Sequence, residues 1–248
     1  MTTKVIMSCD DNPYYLDFWP LVSRVWKERI GIDPVLIHIG HSDVDDSFGE
    51  VVSMKPTNHP IHTQAQLARL WYPVYEPDTL WITSDIDMFP ISRTYWAEHS
   101  QPGDFDWKNL NTDLRNYFPI CYNVATGKKF REILNVVDDF EAFVDSVLIT
   151  YNSDLTHRPE NWVGEEMSNW SLDEIYSSNM ICYHRDLGAK IEQPLRPGGF
   201  HDGGRINRTR WQYDPRGIVE EFYIDCHSLR PYTLNKDRVD ELITCLLK

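Results

Sequence analysis

The sequence predicts an α/β protein with a mostly parallel sheet flanked by helices, and three observations carry that expectation. The first is a βαβ unit at the amino-terminal end. Lys4-Val5-Ile6-Met7-Ser8 is an apolar strand that stops at Cys9-Asp10-Asp11-Asn12-Pro13, and residues 34–40 form a second strand. Between them Tyr15, Phe18, Trp19, Val22, Val25 and Trp26 fall at helical spacing behind a capping Asn12 and Pro13, so a helix of about four turns is expected. The second observation is a helical stretch over 63–73, capped by Thr63 and ended by Pro73. The third is the apolar run Thr79-Leu80-Trp81-Ile82-Thr83-Ser84, which halts at Asp85-Ile86-Asp87 and reads as the third strand, buried and stopping at a polar edge. A strand, a helix and a strand within about forty residues imply a right-handed crossover. In such sheets ligands bind at the carboxyl ends of the strands.

With 248 residues the chain is long enough to bury a substantial core, and 42% hydrophobic and 13% aromatic content exclude a disordered protein. The acidic loop 43–50 is expected to be solvated, and residues 236–247 are amphipathic, as a closing helix requires. A net charge of −14 disfavours nucleic acid or an anionic membrane surface as partner. Any phosphate-bearing ligand must then be held locally, by a metal, by arginines or by helix N-termini. Five cysteines without a CxxC pair give neither a disulfide framework nor a zinc knuckle. Together with the short apolar run at 5–7 and the lack of any long uncharged stretch, this sets the expectation of a reduced, cytoplasmic location without a membrane span.

The chemistry centres on Asp85 and Asp87. Two carboxylates one residue apart at the end of a low-dielectric strand repel each other, and a hard divalent cation with oxygen ligands relieves that repulsion. Mg²⁺ or Mn²⁺ held by one or two carboxylates keeps positions for water and for substrate phosphate. The plain alternative is a surface turn after a strand. Cys9 and Asp10 lie where the first strand ends, at the place of a base or ribose, unless they only serve the helix cap. Arg69, on a mostly apolar helix, either snorkels to solvent or reaches a pyrophosphate. Asp173 and Glu174 suit the first turn of a helix, and residues 221–232 read as a strand that delivers His227, followed by Arg230, Pro231 and Tyr232. Four glycines and four arginines crowd 196–210, a loop able to gather anions or to stay merely solvated, and His201 within it competes with His227 as a metal ligand. The pairs His38/His41 and His59/His62 lack a clustered third ligand. Most aromatic residues build core, whereas Trp96, Trp107, Trp162 and Trp170 lie among polar neighbours and are candidates for stacking on sugar rings.

The strand ending in polar residues, the Ala68-Arg69 helix before a proline and the apolar strand into Ser84-Asp85-Ile86-Asp87 together resemble nucleotide-sugar-dependent glycosyltransferases of the GT-A fold. The resemblance is to the glycogenin and bacterial galactosyltransferase type and to glycosyltransferases of large algal viruses, so a viral origin enters the expectations. It implies a single GT-A-like domain, Rossmann-like at first with a mixed second half: residues 1–100 bind the nucleotide and 101–248 shape the acceptor site. It also implies transfer of a hexose from a nucleotide diphosphate sugar, UDP-linked by family habit, to a glycan or other hydroxyl acceptor. Asp85 and Asp87 then bind Mn²⁺ together with the donor's ribose and diphosphate. Residues 119–127 resemble the segment that shapes the sugar and acceptor pocket. Trp170-Ser171-Leu172-Asp173-Glu174 resembles the family's acidic patch beside the anomeric carbon, with Glu where Asp-Gln is common in the retaining type, which leaves the stereochemistry open. His227-Ser228-Leu229-Arg230-Pro231-Tyr232 is similar to a shortened His-x-x-Gly-x-x-Lys-Pro-Trp element. That similarity gives His227 to the metal and Arg230 to the phosphates, and an imidazole favours Mn²⁺ over Mg²⁺.

Two rivals stand beside this reading. A phosphohydrolase of the haloacid dehalogenase kind also uses paired acids, but after its first strand and with a Thr where Phe89 stands here. A binding module or inactive relic would use the aromatics without needing an acid pair, a late histidine and a basic residue together.

Overall fold

The computed structural model describes residues 1–111, 117–153, 171–196 and 204–248. Its main sheet has seven strands in the order β3-β2-β1-β4-β7-β6-β8. These are β1 Thr3–Asp10, β2 Asp33–Ile39, β3 Glu50–Met54, β4 Leu80–Thr83, β6 Trp107–Asn109, β7 Asn123–Thr126 and β8 Ile191–Glu192. The first four run parallel; β7 is antiparallel to β4 and to β6, and β8 runs parallel to β6. The expected parallel first half and mixed second half are both present.

Strand alternation sorts the core into two layers. Val5, Met7, Leu36, Leu80, Ile82 and Val124 face one side, against Trp19, Trp26 and the carboxyl-terminal helix. Ile6, Val35, Ile37, Trp81 and Ala125 face the other, against helices that follow β3 and β7. Strand β3 went unread in the sequence, because a five-residue edge strand exposed at Glu50 and Ser53 shows neither a continuous apolar run nor clean alternation. The acid pair therefore follows the fourth strand, not the third.

Several helices differ in detail from expectation. The first is not one helix but α1 Pro13–Leu16 and α2 Trp19–Arg24, the latter continuing as a π-helix over Val25–Ile30. Pro20 accounts for the break: it lacks an N–H and its ring crowds the carbonyl four residues back, at Leu16, where α1 ends. Gly31, at φ 79°, closes the π turn in a left-handed conformation. Helix α3, Ile61–Trp71, starts behind Pro60, so Thr63 is a buried residue of the first turn and not its cap. Pro73 ends that helix in a short 3₁₀ turn, as expected. Further along lie α4 Arg93–His99, α5 Gly127–Ile133, α6 Phe140–Ser153, α7 Leu172–Asp186, α8 Pro215–Val219 and α9 Tyr232–Leu246. The last begins directly after Pro231, four residues before the expected start at 236.

Trp96 and Trp107 are core, not sugar platforms. Both are fully buried; Trp96 packs edge-on against Trp26 and Tyr122, and Trp107 donates to Asn123 Oδ1 at 2.9 Å. Trp162, Trp170 and His201 lie outside the described residues.

A second, small sheet holds β5 Met88–Pro90, β10 Asp225–His227 and β9 Arg205–Asn207, with β10 antiparallel to β5 and parallel to β9. Asp225 ties it down. The carboxylate is fully buried, takes two bonds from Arg205 at 2.7 Å and one from Arg196 at 2.6 Å, and these cations hold its pKa at about 2 against the cost of burial. Asp225→Ala would strand two buried guanidinium groups, and a loss of about 3–5 kcal/mol in urea unfolding is expected. A loss below about 1 kcal/mol would contradict that role.

Candidate active site

The two sheets meet at the acid pair. β4 ends at Thr83, the Ser84 N–H donates to the Ile6 carbonyl, and the chain turns through 84–87 before β5 begins at Met88. The β5/β10 register sets His227 opposite Met88, and the Ser228 N–H donates to the Asp87 carbonyl at 2.9 Å. Residues 140 positions apart in the chain are thus brought together by ladder pairing: His227 Nε2 lies 3.4 Å from Asp87 Oδ2.

Nearly every candidate from the sequence opens onto one cavity of about 240 Å³. Its walls include Cys9, Asp10, Arg69, Asp85, Asp87, Asp173, Glu174, His227 and Arg230. Cys9 is a buried wall residue whose thiol pKa is pushed well up by burial. Asp10 gives one carboxylate oxygen to the Asn12 N–H, at 3.0 Å, so it serves the helix cap while also reaching the cavity. The histidine pairs divide: His38 is buried on Asp11 at 2.9 Å, and His62 reaches the cavity rim.

Arg69 does not snorkel. It is 8% exposed and spans Asp85 Oδ1 at 2.5 Å and Asp173 Oδ2 at 2.6 Å, with a further bond to the Ser84 carbonyl at 3.1 Å. Burial opposes its charge, but the carboxylates of Asp173 and Asp85 outweigh that and raise its pKa above the ordinary range. On α7, Glu174 accepts from the Tyr117 hydroxyl and, at 3.1 Å, from the Ile120 N–H. Burial first, then the charges of Asp173 and Asp85, lift its pKa to about 7 despite those bonds.

The other end of the cavity is cationic. Asp87 Oδ2 faces Arg208 Nη1 at 3.2 Å, Arg230 Nε at 3.3 Å and His227. Burial would raise the Asp87 pKa, and these neighbours turn the shift downward. Arg230 also donates to the Tyr15 hydroxyl at 2.8 Å and lies over the rings of Tyr15 and Tyr14. A chain of net charge −14 thus builds a cleft with an acidic end, at Asp85, Asp173 and Glu174, and a basic end, at Arg208 and Arg230.

Arg208 was legible only as one arginine of a Gly/Arg-rich stretch. Tyr15 was legible only as a helix position and Tyr117 carried no signal, since their partners lie 215 and 57 residues away. Among the described residues no group of three or more His, Cys, Asp or Glu side chains gathers closely enough to enclose a metal.

Comparison of this arrangement with solved structures is informative. The galactosyltransferase LgtC, in complex with donor and acceptor sugar analogues, matches over 99% of this chain and 96% of its own, with a TM-score of 0.52 at 13% identity. An active-site mutant of LgtC matches over the same shares with a TM-score of 0.53 at 13% identity. This chain has the GT-A fold. The glycosyltransferase GlyE of Streptococcus pneumoniae TIGR4 matches over 91% of this chain at 10% identity and a TM-score of 0.50, and there the chain spans 55% of its counterpart. No protein-family model and no curated sequence matches significantly. Among the described residues no helix is long and apolar enough to cross a membrane.

The raised Glu174 pKa has a stability consequence. A carboxyl that holds its proton more tightly folded than unfolded costs stability as pH rises from about 4.5 to about 7. Replacing it by Gln removes that cost. Glu174→Gln is expected to gain on the native chain by about 2 kcal/mol between pH about 5 and about 8, read from urea midpoints. A difference that does not change with pH would contradict the raised pKa.

Proposed function

We propose that this chain transfers a hexose from a nucleotide diphosphate sugar, UDP-linked, to a hydroxyl of a glycan or another acceptor. The observation that carries the proposal is the polarised cleft: a basic end fits the diphosphate, and an acidic end fits the sugar carbon on which positive charge develops.

The first hundred residues serve the nucleotide. Cys9 and Asp10, where β1 ends, flank the base and ribose, and Arg230 holds the diphosphate by charge-assisted hydrogen bonds. Residues from 101 onward shape the acceptor side. Asp173, fixed by Arg69, presents a negative charge that does not have to reorient during the reaction. Glu174, with a pKa about 7, is equipped to accept the proton of the incoming hydroxyl near neutrality.

The donor set suits a divalent cation. Among the described residues, neither Asp85 Oδ2 nor Asp87 Oδ1 takes a hydrogen bond, and the imidazole of His227 lies 3.4 Å from Asp87 Oδ2. The three side chains do not close around an ion by themselves, so substrate phosphate would complete the shell. Asp85, Asp87 and His227 would hold Mn²⁺, whose nitrogen tolerance exceeds that of Mg²⁺. When bound, the cation polarises the diphosphate and stabilises the departing nucleotide. Arg69 meanwhile keeps Asp85 and Asp173 at a set separation, so the nucleotide and sugar ends stay in register.

The test is nucleotide release from a panel of UDP- and GDP-hexoses, with and without simple sugar acceptors, in Mn²⁺ and in chelator. Turnover of a UDP-hexose is expected in Mn²⁺ only. Asp173→Asn should lower kcat by about 10²-fold or more with the chain still folded. Equal turnover in chelator, or an Asp173→Asn variant of native activity, would sink this mechanism.

A further inference from the structure

Asp87 faces two guanidinium groups with one negative charge. Arg208 and Arg230 share one of its oxygens, Oδ2, at 3.2 and 3.3 Å. The two guanidinium groups repel each other, and neither meets a second carboxylate within ion-pair distance among the described residues. Arg208 feels this directly: burial first, then Arg230, lower its pKa.

Other buried arginines lie away from the cavity wall or bridge two acids. Arg205 grips Asp225 with two bonds and shares it with Arg196, and Arg69 spans two separate carboxylates. Those groups are nearly sealed from solvent, with the Arg196, Arg205 and Arg69 side chains 0%, 5% and 10% exposed. By contrast the side chains of Arg208 and Arg230 are 30% and 18% exposed and border the cavity. They hold surplus positive charge at the cavity wall, within reach of an anion.

We propose that Arg208 and Arg230 form a counter-ion latch: without ligand they neutralise Asp87, and on donor binding both pass to the diphosphate, releasing Asp87 to the cation. The inference rests on reading the cleft as a nucleotide diphosphate site. It adds Arg208 as a binding residue and explains why an acid pair needs two arginines. A divalent cation arriving alone meets two fixed positive charges at Asp87 and binds weakly. A diphosphate arriving alone meets arginines already occupied by Asp87. Each ligand removes the obstacle to the other, and by linkage each strengthens the other by the same factor.

The latch predicts effects of opposite sign from one substitution. Mn²⁺ alone would be titrated into the native chain and into Arg208→Gln, with free ion followed by electron paramagnetic resonance. UDP would be titrated calorimetrically in saturating Mn²⁺ and in chelator. In Arg208→Gln, Mn²⁺ alone should bind about threefold to tenfold more tightly, while UDP in Mn²⁺ should bind about tenfold more weakly. The enhancement of UDP binding by Mn²⁺ should shrink accordingly. Arg208→Lys, which keeps the charge, should fall between the two proteins, and Asp87→Asn should lose Mn²⁺ binding. A variant in which Mn²⁺ affinity is unchanged or weaker, with UDP binding also weaker, would overturn the latch and leave Arg208 as a simple phosphate contact. Absence of Mn²⁺ and UDP binding in every protein, native included, would overturn the donor-site reading and the latch with it.

Discussion

The site depends on one buried guanidinium. Arg69 reaches from the last turn of α3 to Asp85, past the end of β4, and to Asp173, in the first turn of α7. It thereby joins three elements that sequence order keeps far apart. Asp173 is buried and the Asp85 side chain is 32% exposed, and two carboxylates this close would otherwise repel each other. Arg69 offsets that repulsion, while burial still leaves the Asp173 pKa raised. Arginine suits the task better than lysine because its planar fork serves two acids at once and stays charged when buried.

From that bridge follows the division of charge along the cleft. One guanidinium between Asp85 and Asp173, with Glu174 alongside, leaves the α7 end acidic. Two arginines on Asp87 leave the β10 end basic. The small sheet maintains the separation: Asp225, clamped by Arg196 and Arg205, anchors β10, and the β5/β10 register carries His227 to Asp87. A donor that is anionic at its phosphates and becomes cationic at its sugar carbon is complementary to such a cleft in the transition state more than in the ground state.

Much of this was legible in the sequence because it rests on local pattern. Apolar runs that end in polar residues marked β1, β2 and β4, and placed Cys9, Asp10, Asp85 and Asp87 at one edge of one sheet. The late histidine and arginine followed from resemblance. What local pattern missed had physical causes. β3 lies at a half-exposed edge, where burial imposes no strong alternation. Pro20 interrupts a helix whose apolar spacing runs straight through it. Trp96 and Trp107 have polar neighbours in sequence, yet tertiary packing surrounds them with aromatic rings. Arg208 and Tyr15 meet Asp87 and Arg230 only through the fold, and no spacing rule spans such distances.

The central claim is that Asp85, Asp87 and the facing arginines form a metal-dependent site for a nucleoside diphosphate. Its most direct test is calorimetric titration of UDP, with GDP for comparison, into the native chain and Asp87→Ala, in Mn²⁺ and in chelator. The account predicts UDP binding to the native chain that is strong in Mn²⁺ and lost on chelation, and in Asp87→Ala a loss of that Mn²⁺ enhancement. UDP binding to the native chain of equal strength in chelator, a full Mn²⁺ enhancement in Asp87→Ala, or no binding of either nucleotide to the folded native chain would contradict it.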